Sequence, residues 1–144
     1  MTTTSSWFYW AALSAVFAAL TAIFAKIGLE KVDSDLATLI RTAVIGLVLT
    51  VFVYFAGKWS NPFTLSSRTW LFLVLSALAT GASWVCYFRA LKMGQAANVA
   101  AIDKFSVVLV ALFAFVFLHE HLSLREWLAI LMIGGGVVLL AVKK

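Results

Sequence analysis

Uncharged apolar runs divide the chain into five stretches. The runs 7–25 and 69–88 contain no charged residue, and three shorter runs, 42–57, 105–118 and 127–142, are 16, 14 and 16 residues long. A helix rising ~1.5 Å per residue needs about 20 residues to cross ~30 Å of hydrocarbon. The first two runs can do so alone, and the other three must recruit flanking residues. Helix punctuation supports the same division. Gly28, Gly57 and Gly94 each follow an apolar run, where a left-handed C-terminal cap would sit, and Lys26 and Lys92 fall in last turns, where cations suit the helix dipole. Ser66 or Ser67 is placed to open the third helix and Asn98 the fourth, and Ser123 with Glu126 forms a capping-box pattern before the fifth. The predicted helices run about 7–27, 35–57, 68–92, 98–118 and 124–142. The longest connection, about 58–66, holds the sole proline, Pro62, in a Ser60-Asn61-Pro62 turn signal. The fold class read from this pattern is an all-α integral membrane protein, a bundle of five transmembrane helices forming a single domain over residues 1–144. The first stretch reads as a retained span and not a cleaved leader, since no Lys or Arg precedes Lys26 and the apolar run exceeds the usual 7–15 residues.

Composition sharpens this picture. Hydrophobic residues make up 64% and charged residues 12% of the chain, against roughly 45–50% and 25% in soluble domains, and the mean hydropathy is +1.05. A disulfide scaffold is excluded because Cys86 has no second cysteine in the chain. The net charge of +5 would suggest nucleic acid in a soluble protein, but here its placement reports orientation. Lys58, Arg68 and Arg125 lie with the N-terminus on one face. Lys26, Lys31, Arg41, Arg89, Lys92, Lys104, Lys143 and Lys144 lie on the other, three against eight. The positive-inside rule then predicts an outside N-terminus and a cytoplasmic C-terminus, and the bias argues against free dual insertion. The partners this implies are the lipid bilayer and a small solute, with no nucleic acid.

Span length also forces charge into the membrane. The 14-residue fourth run reaches only ~21 Å, so Asp103 and Lys104 are pulled into the helix. Arg41 lies six residues into the second predicted helix, Lys26 ends the first, and Arg89 nears the end of the third. Ionisable groups at that depth face a partner or a wet cavity, and Asp103 is expected to pair with Arg41 or Lys26, as a structural salt bridge or as an ion-coupling site. Lys26, Arg89 and Lys92 are also close enough to helix ends to snorkel. On the third helix Ser76, Thr80, Ser83, Trp84 and Tyr87 share a face, and Trp10, Ser14, Phe17, Thr21 and Phe24 repeat the pattern on the first. Such stripes suit either helix packing or a cavity for an organic, partly aromatic or cationic solute. The candidate cavity residues are Thr80, Ser83, Trp84, Tyr87, Trp10 and Ser14. Ala11, Ala15 and Ala19, the Ala77 to Gly81 spacing and Gly134-Gly135-Gly136 would allow close backbone approach. His119-Glu120-His121 lacks the spacing of a metal site and reads as a cap or loop. No catalytic constellation, cofactor loop or metal motif emerges, so an enzyme is not expected.

The run from Tyr87 through Leu91-Lys92-Met93-Gly94-Gln95-Ala96, continuing Asn98-Val99-Ala100-Ala101-Ile102-Asp103-Lys104, resembles the EamA family of the drug/metabolite transporter superfamily. Phe117-Leu118-His119-Glu120, Leu122 to Trp127 and the glycine-rich Ile133 to Leu140 are similar to that family's fourth-to-fifth-helix pattern. The resemblance covers one five-helix repeat. It implies movement of metabolites, amino acids or drugs across the inner membrane by alternating access, and a structural part for Glu120. The family commonly carries a proline near the start of the fourth helix, where this chain has Ala101, so no proline interrupts the predicted 98–118 helix. Most members hold two such units in inverted orientation. A single unit is therefore expected to form a homodimer or join a heteromeric membrane partner. The competing expectation is a non-transporting scaffold or accessory subunit of a larger membrane complex.

Overall fold

The computed structural model describes the backbone of residues 4–142 and the side chains from Trp7. Lys143 and Lys144, which entered the charge comparison, lie outside the described residues. The order is α1 (Thr4–Gly28), α2 (Ser34–Phe55), a 3-10 turn (Pro62–Thr64), α3 (Ser67–Met93), α4 (Ala96–Asp103), α5 (Ser106–Phe117) and α6 (Leu124–Ala141). Taken with α4 and α5 as the single stretch Ala96–Phe117, five segments are long and apolar enough to cross a membrane. The all-helical membrane class and the approximate limits of the first, second, third and fifth spans agree with the sequence pattern.

Local chemistry explains most boundaries. Asp33 caps α2 by accepting from the N–H groups of Asp35 and Leu36 at 2.9 and 3.1 Å. At the other end Gly57 adopts φ +64°. Its N–H donates to the Tyr54 carbonyl at 3.1 Å, and the Lys58 N–H donates to Val53 at 3.1 Å, a Schellman closure. Ser66 caps α3 through the Thr69 N–H at 3.2 Å, and the Ser123–Glu126 capping box is complete. In the α2–α3 connection Asn61 accepts from the Phe63 N–H, and the Trp70 indole donates to the Pro62 carbonyl at 3.1 Å. Thr38, Thr42, Thr50 and Thr80 turn their hydroxyls onto carbonyls one turn earlier in their own helices, which satisfies them without water.

Three expectations need correction. Neither Gly28 nor Gly94 is a left-handed cap, since Gly57 is the one described glycine with positive φ. Helical bonding continues past Gly28, with the Leu29 N–H donating to Ala25 at 2.9 Å. Past Met93 the chain re-enters a helix at Ala96 through an extended Gln95. Asn98 is not an N-cap either: α4 begins earlier, and the Asn98 amide donates to the Gln95 side chain at 3.2 Å. Most consequential, the predicted 98–118 helix is interrupted. The Lys104 N–H donates to Ala101 and the Phe105 N–H to Ile102, while Val107 and Val108 donate to Lys104 and Phe105, all at 3.0–3.1 Å and all three residues back. The α-helical spacing resumes with Leu109 donating to Phe105. The span thus tightens into 3-10 steps at its two charges, with no proline to cause it.

The chain divides into two compact units. In the unit 24–92, Leu29, Ser34, Thr38, Phe88 and Leu91 are buried. They lie at the end of α1, the start of α2 and the end of α3. In the unit formed by residues up to 23 and from 93 onward, α4 and α5 both pack on α6, around Ala111, Gly134 and Val137. A Cβ on Gly134 would meet Val108 Cγ2 at 2.9 Å, so α5 approaches as closely as a glycine permits. Gly81, Gly135 and Gly136 have open space around them instead. Most large apolar side chains face outward, as lipid contact requires.

Candidate functional site

Two groups of sequence-predicted residues come together, one in each unit. In the unit 24–92, Arg41 lies two turns into α2 and is half-buried. Its guanidinium carbon stands over the Trp84 ring at 4.6 Å and the Phe88 ring at 5.2 Å. Trp84 and Phe88 are one turn apart on α3, so two successive rings of that helix receive one cation. Phe88 is buried, and Trp84 and Tyr87 are half-buried. The sequence placed Arg41 among the charges and Trp84 among the cavity residues; the structure joins them.

Three cations at this unit's helix ends are fastened to backbone or carboxylate. Lys26 Nζ donates to the Leu91 carbonyl at 2.6 Å, and Lys92 Nζ to the Val32 carbonyl at 2.6 Å. Arg89 grips Asp35 with both prongs, Nε to Oδ1 at 2.9 Å and Nη2 to Oδ2 at 2.6 Å. Arg89 and Lys92 therefore bind α2 and the loop before it, beyond simple snorkelling. Asp35 was not singled out by sequence. Its position in the first turn of α2 is explained by the helix dipole alone, and only a carboxylate search opposite Arg89 would have found it.

In the other unit, Asp103 and Lys104 form an ion pair at 3.5 Å between neighbouring residues, directly at the 3-10 interruption. Asp103 is half-buried and Lys104 exposed. His119, at the end of α5, adopts φ 54°, and the Leu118 and Glu120 N–H groups both close onto the Ala114 carbonyl at 3.0 and 3.2 Å. His121 stacks edge-on against Phe115. The cap-and-loop reading of His119-Glu120-His121 matches this geometry. Of the other candidate cavity residues, Ser83, Trp10 and Ser14 are exposed and the Thr80 hydroxyl is taken up by Ser76. An apolar surface cleft of about 400 Å³ lies elsewhere, lined by Thr50, Val51, Tyr54, Phe55 and Trp59. It includes none of the candidate residues, and its Tyr and Trp suit a membrane interface.

Comparison with known proteins decides the family. Residues 5–142 match the EamA-like transporter family. The chain belongs to that family. It is 57% identical over 137 residues to a Sinorhizobium protein described as an uncharacterized transporter in the cobO 3' region, covering 95% of this chain and 97% of the relative. It is also 25% identical over 130 residues to an uncharacterized protein of Methanocaldococcus jannaschii, covering 90% and 92% of the two chains. No solved structure matches. This EamA-like chain is thus a multi-pass membrane protein of a transporter family. The family match covers both the Arg41 and the Asp103 groups, whose contacts are properties of this chain's own residues.

Proposed function

We propose that this protein is a transporter subunit that moves small organic solutes, such as metabolites, amino acids or drugs, across the inner membrane by alternating access. It works as a dimer or with a partner chain, with the N-terminus outside and the C-terminus cytoplasmic. The observation that carries this reading is the interruption of the fourth span at Asp103 and Lys104. Backbone that leaves the α-helical pattern at membrane depth is tolerated where protein or a wet cavity lines it, and transporters place solute and ion sites at such breaks. Asp103 lies seven residues past Ala96, ~10 Å along the helix. Its carboxylate is the candidate for ion coupling, with Lys104 beside it; Arg41 and Lys26, in the unit 24–92, are the other intramembrane charges proposed to take part. Trp84 and Tyr87, with Thr80 and Ser83 on the same helix, are the solute-facing candidates of the unit 24–92, and Trp10 and Ser14 on α1 are those of the other unit. Dimer formation follows from the family's use of two such units. Gly135 and Gly136, open on α6, are free for helix association.

Flux of a solute panel into proteoliposomes holding the purified full chain tests this reading. Saturable uptake of at least one organic solute supports it, and no movement of any solute above empty vesicles rejects it in favour of a scaffold. Oxidative crosslinking through Cys86, which is exposed on α3, checks whether third helices of two copies meet.

A further inference from the structure

Within the unit 24–92 the anions are largely committed. Asp35 is held by both prongs of Arg89, and Asp33 is occupied by the two N–H groups it caps. Among the described residues of this unit no carboxylate pairs with Arg41. Yet Arg41 is the cation placed inside a span, two turns from the start of α2, where an unneutralised charge is costly. A guanidinium does not deprotonate, so the site cannot escape by losing its proton. The guanidinium carbon stands within cation-π range of both rings, at 4.6 and 5.2 Å from their centroids. A cation-π contact uses no N–H hydrogen bond, and the planar fork of a guanidinium matches a carboxylate with two parallel hydrogen bonds.

We propose that Arg41, held over Trp84 and Phe88, is a recognition site for a carboxylate, so that the solute handled by this protein is an organic anion or a zwitterion bound through its carboxylate. This rests on the transporter reading and names its substrate class. The cationic solute that the aromatic stripe first suggested is disfavoured: the Trp84 ring already carries the protein's own cation at 4.6 Å, and a second positive charge there is repelled. The rings are positioning residues, since they hold the guanidinium by cation-π contact, whereas Arg41 makes the contact with the carboxylate.

The test is calorimetric titration of the purified full chain in detergent with matched probes: benzoate and butyrate, their amides benzamide and butyramide, and their amines benzylamine and butylamine. The proposal expects a carboxylate to bind more tightly than its amide and amine. R41Q lowers carboxylate affinity at least tenfold, the scale of a lost charge-assisted hydrogen-bond pair, while amide binding stays as it was. R41K, which keeps the charge and loses the fork, falls between, and guards against a misfolded R41Q; both variants must elute as the wild type does in size exclusion. Carboxylate affinity unchanged in R41Q and R41K, amines binding as well as carboxylates, or no carboxylate binding at all overturns the proposal. These outcomes are independent of flux. Arg41-dependent carboxylate binding without any transport removes the transporter reading alone, and transport of neutral or cationic solutes that R41Q leaves intact removes this inference alone.

Discussion

Between Phe24 and Lys92, helix-end cations reach partners far away in sequence: Lys26 to Leu91, Arg89 to Asp35 and Lys92 to Val32. From Met93 onward, Asp103 and Lys104 have each other, across one peptide bond at 3.5 Å and partly exposed. The two arrangements differ in what they can hold. Links spanning 54 to 65 residues tie separate elements together, and breaking one frees a helix end. An adjacent pair ties no separate elements together and restrains little. The backbone follows the same division, with α2 and α3 continuous where charges are fastened and the fourth span interrupted where they are not. One region is built as a clamp, and the other is where the proposed coupling site lies.

The comparison can be broken or sharpened by substitution. The largest effect is expected from Asp103→Asn, which removes the proposed coupling charge: transport in proteoliposomes is abolished or loses its pH dependence, while thermal stability in detergent stays near wild type. Next comes Gly134→Val. Its side chain would have to displace stiff, β-branched Val108, so the melting transition falls by an amount equivalent to about 1–3 kcal/mol. Gly135→Ala, with open space around it, changes stability by less than about 0.5 kcal/mol, and pairing Val108→Ala with Gly134→Ala restores part of any loss from the latter. Arg89→Gln opens the two-pronged grip on Asp35. Because that pair is about half-exposed, the drop in melting temperature is smaller than for Gly134→Val and shrinks as salt is raised. If Arg89→Gln instead abolishes transport while Asp103→Asn does not, the roles assigned to the two regions are reversed. The smallest effect is a gain: His119→Gly relieves a left-handed φ and raises stability by about 0.5 kcal/mol once the extra freedom of glycine in the unfolded chain is subtracted.

Much of this architecture was legible because a bilayer imposes length and composition on each span. Ser66, Gly57 and the Ser123–Glu126 box act locally, so their chemistry is readable over a few residues. The interruption at Asp103 was hidden for the opposite reason. The stretch Ala96 to Phe117 contains neither glycine nor proline, and both its halves pack on α6, so tertiary contact accompanies a break that no local signal announces. The site was half legible. Arg41 and Trp84 each stood out, one as a charge and one as a ring, but their contact crosses from α2 to α3 and no periodicity within one helix reports it. Asp35 was missed because its place in a first turn already had a sufficient explanation. Gly28 and Gly94 misled because a glycine after an apolar run permits a left-handed cap without requiring one.

If the interrupted fourth span carries a coupling carboxylate in a working transporter, flux must depend on Asp103. The most direct measurement is solute flux into proteoliposomes as a function of pH, for the wild type and for Asp103→Asn reconstituted at equal density. Wild-type flux is expected to depend on pH and the variant's profile to be flat or absent; superimposable profiles for the two would rule out a coupling role for Asp103.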